Sequence, residues 1–297
     1  MKTVKNTTLL LLSSLLLLAG CRNEQDTTED EMGLLPQPEL PNPQDPDYWD
    51  AATLVWSDEF DGTSLDPDKW TFETGDHGWG NNEWQNYVTQ GVTEVSDGTL
   101  KITARKVGTG GHVGDYESAR LNSREAFTFG RLEIRAKIPE WKGKGIWPAL
   151  WMLGSNIGQV GWPECGEIDM MEYVSYDPGK VHFSIHSPAN NHKDGTQVTS
   201  GPVPLETIEE EFHNYGILWT DQYIKFYLDD PSQVTLVFPR PTPTTAENWP
   251  FSKPFYFLMN IAVGGDWGGL QGVEDTIFPA VMEVDYVRVY QVPPPGQ

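Results

Sequence analysis

The chain has 297 residues, 43 acidic against 20 basic side chains, and a formal charge of −23. That balance argues against nucleic acid or an anionic membrane surface as a partner, because both demand basic patches, and it disfavours heavily sulfated or carboxylated substrates. Two cysteines exclude a disulfide framework, and twelve tryptophans leave a heavy aromatic load to be placed.

The chain opens with Lys2 and Lys5, then an apolar stretch from Leu9 to Leu18 broken only by Ser13 and Ser14. It is too short to span a bilayer comfortably and reads as the core of a secretion signal. It ends Leu18-Ala19-Gly20-Cys21, which resembles the lipobox of bacterial lipoproteins, cut before the cysteine and lipidated on its thiol. An ordinary signal peptide with a chance cysteine is the alternative. The resemblance implies a removed leader over residues 1–20, a lipid anchor at Cys21, and an outer-membrane, cell-surface location. More than one acyl chain makes such an anchor stable. Residues 21–47 are rich in Asp, Glu, Pro, Gln and Thr, a composition that cannot bury enough surface to fold. They read as an acidic, Pro-rich disordered tether.

One domain is expected over residues 48–293, with a short tail at 294–297. Period-two alternation predicts strands at Leu100–Arg105, Arg131–Ile138 and Val181–His186. Further strands are expected at Leu54–Trp56, Trp147–Leu153, Tyr215–Trp219, Tyr223–Leu228, Phe255–Val263 and Met282–Tyr290. Only Leu205–Phe212 looks helical. Many strands with turn signals and little helix predict an all-β fold, a sandwich of two antiparallel sheets with one wet concave face.

Within this frame lies Glu167-Ile168-Asp169-Met170-Met171-Glu172. Strands exclude unpaired carboxylates from a core, so these acids must meet water, a ligand or a metal. Glu167 and Asp169 share a face, while Glu172 would point away. A bulge at Met170-Met171 returns Glu172 to the same face and turns Ile168 and the methionines inward. Two glutamates flanking one bond, with Asp169 between them to disfavour full ionisation, are the equipment of glycoside hydrolysis. A solvated or calcium-binding acidic strand fits the same spacing. Cys165, two residues upstream, would sit beside the acids as a neutral wall residue. It has no base partner to make it a nucleophile.

Many tryptophans stand among glycines, as in Gly78-Trp79-Gly80, Gly161-Trp162-Pro163 and Asp266-Trp267-Gly268. Trp147 and Trp151 are four apart, hence on one strand face. Flat rings with polar edges suit sugar rings, so a saccharide groove is expected. His186 is expected to hydrogen-bond within it and His182 to be structural or peripheral.

Gly166-Glu167-Ile168-Asp169-Met170-Met171-Glu172 resembles the bulged signature of glycoside hydrolase family 16. Trp56-Ser57-Asp58-Glu59-Phe60, Gly78-Trp79-Gly80-Asn81-Asn82-Glu83, Gly145 to Leu153 and Asp285 to Tyr290 are similar to other family segments, in family order. The resemblance implies a β-jelly-roll with a concave cleft and retaining endo-hydrolysis of β-glycans. It makes Glu167 the nucleophile, Glu172 the general acid/base and Asp169 their electrostatic partner. The laminarinase branch, acting on β-1,3-glucan, is the most similar. There Asn81, Arg135, Trp147, Trp151, His186 and Trp267 would line the cleft. Mixed-linkage glucanases, agarases and carrageenases share the motif, and a non-catalytic glucan-binding protein or a transglycosylase would share the scaffold. No catalytic cofactor is implied. A structural Ca2+ at Glu59, Gly98 and Asp285 is implied, as is a monomer whose partner is the glucan.

Overall fold

The computed structural model describes residues 42–45 and 47–293. The leader, Cys21, nearly all of the tether and the tail lie outside the described residues. Among the described residues, no helix is long and apolar enough to cross a membrane.

Two sheets face each other. The eight-stranded sheet runs, in spatial order, Val198–Thr199, Lys180–His186, Glu167–Glu172, Ile146–Gly154, Phe255–Val263, Arg120–Phe127 and Trp70–Glu73, with Val203–Pro204 pairing beside Lys180–His186. The ten-stranded sheet runs Val234–Pro239, Tyr223–Leu228, His213–Trp219, Gly130–Lys137, Ala280–Gln291, Thr99–Lys106, Tyr116–Ser118 and Gln85–Tyr87. Thr53–Asp58 and Thr93–Ser96 join it at the side. Pairing is antiparallel except between Gln85–Tyr87 and Tyr116–Ser118, which run parallel. The expected all-β sandwich is the observed fold.

Alternation decides what each sheet buries. Leu132, Ile134 and Ala136 of one sheet meet Leu150, Met152, Ile168 and Phe183 of the other in a single core. Each fully buried Leu, Ile, Met or Phe side chain here contributes about 1.5–3 kcal/mol. The outer face of the eight-stranded sheet is therefore free to carry polar and aromatic groups, and it forms the floor of the cleft.

The helix expected at Leu205–Phe212 is absent. That segment is a run of single turns, with Ile208 N–H on the Leu205 carbonyl and Glu211 N–H on the Thr207 carbonyl. Three consecutive glutamates at its C-terminal end oppose a helix dipole, and the segment is too short to nucleate alone. Tertiary partners take its side chains instead: Glu209 accepts from Tyr173 OH and Gly179 N–H, and the Thr207 hydroxyl meets His213.

Gly166 shows how tightly the fold holds the acid strand. Its φ is +79°, and a Cβ there would lie 2.8 Å from Pro250 Cγ and 2.9 Å from Phe255 Cζ. Gly166→Ala should cost about 1–3 kcal/mol from strain and overpacking. Thermal denaturation is expected to show this as a fall of about 2–4 °C per kcal/mol. A melting temperature equal to wild type would mean that the backbone here relaxes freely.

Candidate active site

The register around Glu167–Glu172 contains the bulge. Toward Lys180–His186, Asp169 pairs with Ser184 and Glu172 with His182, so three steps on one strand match two on the other. Toward Ile146–Gly154, the shift falls between Asp169 and Met171. Ile168, Met170 and Met171 are fully buried in the core between the sheets, and Glu167, Asp169 and Glu172 all line the cleft. The cleft has a volume of about 660 Å³.

Each acid has its own partners. Trp162 donates its indole N–H to Glu167 Oε2 at 2.9 Å, and Trp147 donates to Glu172 Oε1 at 3.2 Å. His186 Nε2 stands 3.2 Å from Asp169 Oδ2 and 3.7 Å from Glu167 Oε1. Burial raises all three acids. Burial and then the charge of Asp169 push Glu167 to about 8, while His186, the Trp162 donor and Arg120 pull it down. Burial lifts Asp169 well above the usual range. Burial, then Asp169, does the same to Glu172. The arrangement thus favours keeping protons on the trio; His186 and an indole donor ease ionisation of both glutamates, and Arg120 adds its charge at Glu167. Because Oε1 of Glu172 already accepts an N–H, its proton belongs on Oε2.

Trp79, Asn81, Trp147, Trp151, Trp162 and Trp267 line the cleft. Their settings differ. Trp162 carries His192 at 4.9 Å between ring centroids and the Lys193 ammonium at 4.7 Å, so it clamps Glu167 and offers less open face to a sugar. Trp267 stands edge-on to Trp147 at 5.2 Å and to His182 at 5.0 Å. His182 is therefore a cleft residue, contrary to the expectation that it is structural or peripheral. Its side chain follows the polar side of a strand whose other side is core. His186 is only 6% exposed and faces the acids more than open solvent.

Two further expectations need correction. Arg135 does not line the cleft. It lies on Gly130–Lys137 in the opposite sheet, alternates outward from Ile134 and Ala136, and pairs with Asp285 over the ring of Phe212. The cleft's arginine is Arg120, stacked between Trp79 at 4.7 Å and Trp151 at 4.6 Å and paired with Glu73. Its strand, Arg120–Phe127, reads Arg-Leu-Asn-Ser-Arg-Glu-Ala-Phe and lacks clean alternation, so no sequence signal marked it. Cys165 is not a wall of the cleft. It is fully buried beside Leu153 and Leu258, beneath Trp151 and Trp162, and burial pushes its thiol up to about 12.

Paired carboxyls on a concave sheet floor, walled by tryptophans, define a glycosidase of jelly-roll type. Residues 80–288 match the family profile "Glycosyl hydrolases family 16", and the chain belongs to that family. A protein named beta-glucanase from Rhodothermus marinus is 45% identical over 253 residues, covering 82% of this chain and 86% of its own. The solved laminarinase of Rhodothermus marinus superposes with a TM-score of 0.74 at 44% identity, over 81% of this chain and 97% of that one. The laminarinase of Flavobacterium sp. UMI-01 gives 0.73 at 43% identity, over 80% and 100% respectively.

The Trp162 contact yields a test. Its N–H favours the ionised form of Glu167, so Trp162→Phe should raise the Glu167 pKa. The acid limb of the kcat/KM profile is then expected to move to higher pH, with the alkaline limb unmoved. An acid limb that stays in place would remove Trp162 from control of that carboxylate.

Proposed function

We propose that this enzyme is a retaining endo-hydrolase of β-1,3-glucan. The observation that carries the reading is the bulged acid strand, with Trp162 on Glu167 and Trp147 on Glu172. It sits in a chain whose relatives include proteins named beta-glucanase and laminarinase. In the first step, a Glu167 oxygen bonds to the anomeric carbon as the glycosidic bond breaks, and Glu172 gives its proton to the departing oxygen. In the second, Glu172 takes a proton from water, whose oxygen displaces Glu167 from the anomeric carbon. Asp169 and His186 hold the charge balance beside Glu167. Trp147, Trp151, Trp267 and Asn81 supply rings and polar edges to the sugar chain. Side chains and water balance this chemistry without a cofactor.

Release of reducing ends from laminarin, with the β-anomer formed first by NMR, tests the reading. Glu167→Ser is expected to lose turnover by about 10³-fold or more while laminarin affinity stays within about threefold. Full turnover in that variant would reassign the nucleophile. Preference among laminarin, lichenan, agarose and carrageenan follows from the same assay.

A structural Ca2+ is part of this proposal. The Ala280–Gln291 strand pairs with Thr99–Lys106 as far as Val284↔Leu100, and with Thr53–Asp58 from Val287↔Asp58. Asp285 and Tyr286 fall in the interval between these pairings, which the positions of Glu59 and Gly98 flank. The Glu59 carboxylate is forked onto Arg288 at 3.0 and 2.7 Å, and Asp285 pairs with Arg135. With the Glu59 carboxylate and one Asp285 oxygen held by arginines, the main-chain carbonyls of Glu59, Gly98 and Asp285 would be the oxygen donors to a hard cation there. EDTA should lower the melting temperature more than it lowers the rate of folded enzyme. An unchanged melting temperature in metal-free protein would remove the ion.

The lipoprotein reading is likewise proposed, from the Leu18-Ala19-Gly20-Cys21 run and the acidic stretch after it. Cys21→Ala in a bacterial host should leave the leader uncut and abolish labelling by a fatty-acid probe. Labelling that persists would refute the anchor.

A further inference from the structure

Glu83 is a buried acid with no part in the chemistry above. It is 4% exposed yet borders the cleft. Its Oε1 accepts from Asn81 Nδ2 at 3.2 Å, and its Oε2 accepts from Gln85 Nε2 at 2.6 Å and Tyr87 OH at 3.4 Å. The direction of donation continues outward. Tyr87 OH accepts from Asn260 Nδ2 at 3.0 Å, and Asn260 Oδ1 accepts from Trp151 Nε1 at 2.8 Å. Every donor in this chain points toward Glu83; the donor-only indole of Trp151 orients Asn260 and the Val263 N–H orients Gln85, which leaves the Asn81 amide as the one turned by the carboxylate.

The polarity matters most at Asn81. Its backbone is pinned, N–H on the Gly78 carbonyl at 2.9 Å and carbonyl under the Asp266 N–H at 2.7 Å. With one Nδ2 hydrogen held by Glu83, the amide keeps Oδ1 on the side away from that carboxylate, and Asn81 lines the cleft. Gln85 cannot adapt in its place, because its Oε1 already accepts the Val263 N–H at 2.7 Å.

We propose that Glu83 is a positioning residue for the substrate. By holding the Asn81 amide in one of its two orientations, it makes that residue an acceptor for a sugar hydroxyl. This rests on the glucan-hydrolase reading of the cleft. In Glu83→Gln, the new NH2 must face Asn81, since Gln85 and Tyr87 both need an acceptor. The Asn81 amide then flips and turns its NH2 to the sugar. Asn81→Asp made in the same chain supplies two acceptor oxygens and undoes the fault. Asn81→Asp alone sets two carboxylates against each other.

Steady-state kinetics on laminari-oligosaccharides separate these cases. Glu83→Gln is expected to raise KM about tenfold with kcat within about threefold and both pH limbs unmoved. Asn81→Asp alone should be equally impaired, and the double variant should regain a KM within about threefold of wild type. A purely structural role for Glu83 gives no such rescue. A double variant as poor as Glu83→Gln, an unchanged KM in Glu83→Gln, or a kcat loss with shifted pH limbs would each overturn the proposal. If Glu83→Gln does not fold, the double variant against Asn81→Ala decides, the first expected to match wild type and the second not. If wild type leaves laminari-oligosaccharides intact, the substrate reading fails by itself. The same variants are then compared on whichever β-glucan it cuts.

Discussion

One extra residue in one strand governs this protein. With a regular pleat, Glu172 would face the core beside Met170, and an unpaired carboxylate there costs several kcal/mol. The bulge lets both methionines enter the core and brings the third acid out beside the other two. The packing of Met170 and Met171 is thus inseparable from the placement of Glu172. Apolar burial on one side of the strand holds the reactive groups on the other.

Crowding three carboxyls on a sheltered floor is unfavourable by itself, and the surroundings show how the fold manages it. Indole N–H groups from Trp162 and Trp147 reach the two glutamates, and an imidazole stands over Asp169. Burial raises the affinity of all three acids for protons, so the site holds fewer charges than it has carboxyls. That is the state glycoside hydrolysis requires, a proton on one side of the scissile bond and an available lone pair on the other. The aromatic walls therefore do more than enclose the cleft: Trp162 and Trp147 also donate to the acids on its floor.

The part of the cleft around Arg120 is built separately. Arg120 is clamped between Trp79 and Trp151, and the hydrogen-bond chain from Trp151 to Glu83 fixes polarity behind them. These residues come from distant segments that meet only because Phe255–Val263 lies between Ile146–Gly154 and Arg120–Phe127. Gly265 permits a close approach, since a Cβ there would lie 3.0 Å from the Asn81 carbonyl at a φ of +78°. Binding and chemistry share one sheet face but depend on different local constraints.

Patterning at period two marked strands such as Arg131–Ile138, because a strand with one buried face cannot hide its alternation, and apolar runs between turn signals marked others. Tyr223–Leu228 and Phe255–Val263 were legible to the residue. The bulge was legible because carboxylates at 167, 169 and 172 admit no regular strand that keeps all three from the core. Arg135 and Arg120 show the limit. Both are arginines in strands, and no local rule says which sheet, or which face of it, a strand will join. The Leu205–Phe212 turns show another: Glu209 and Thr207 are claimed by Tyr173 and His213, contacts that do not exist until the chain has folded. The order of residues alone names the side chains that bear the chemistry and the period that aligns them. Only the tertiary structure decided which distant side chains surround them, since neighbours across a sandwich are chosen by sheet order and register rather than by anything local in the chain.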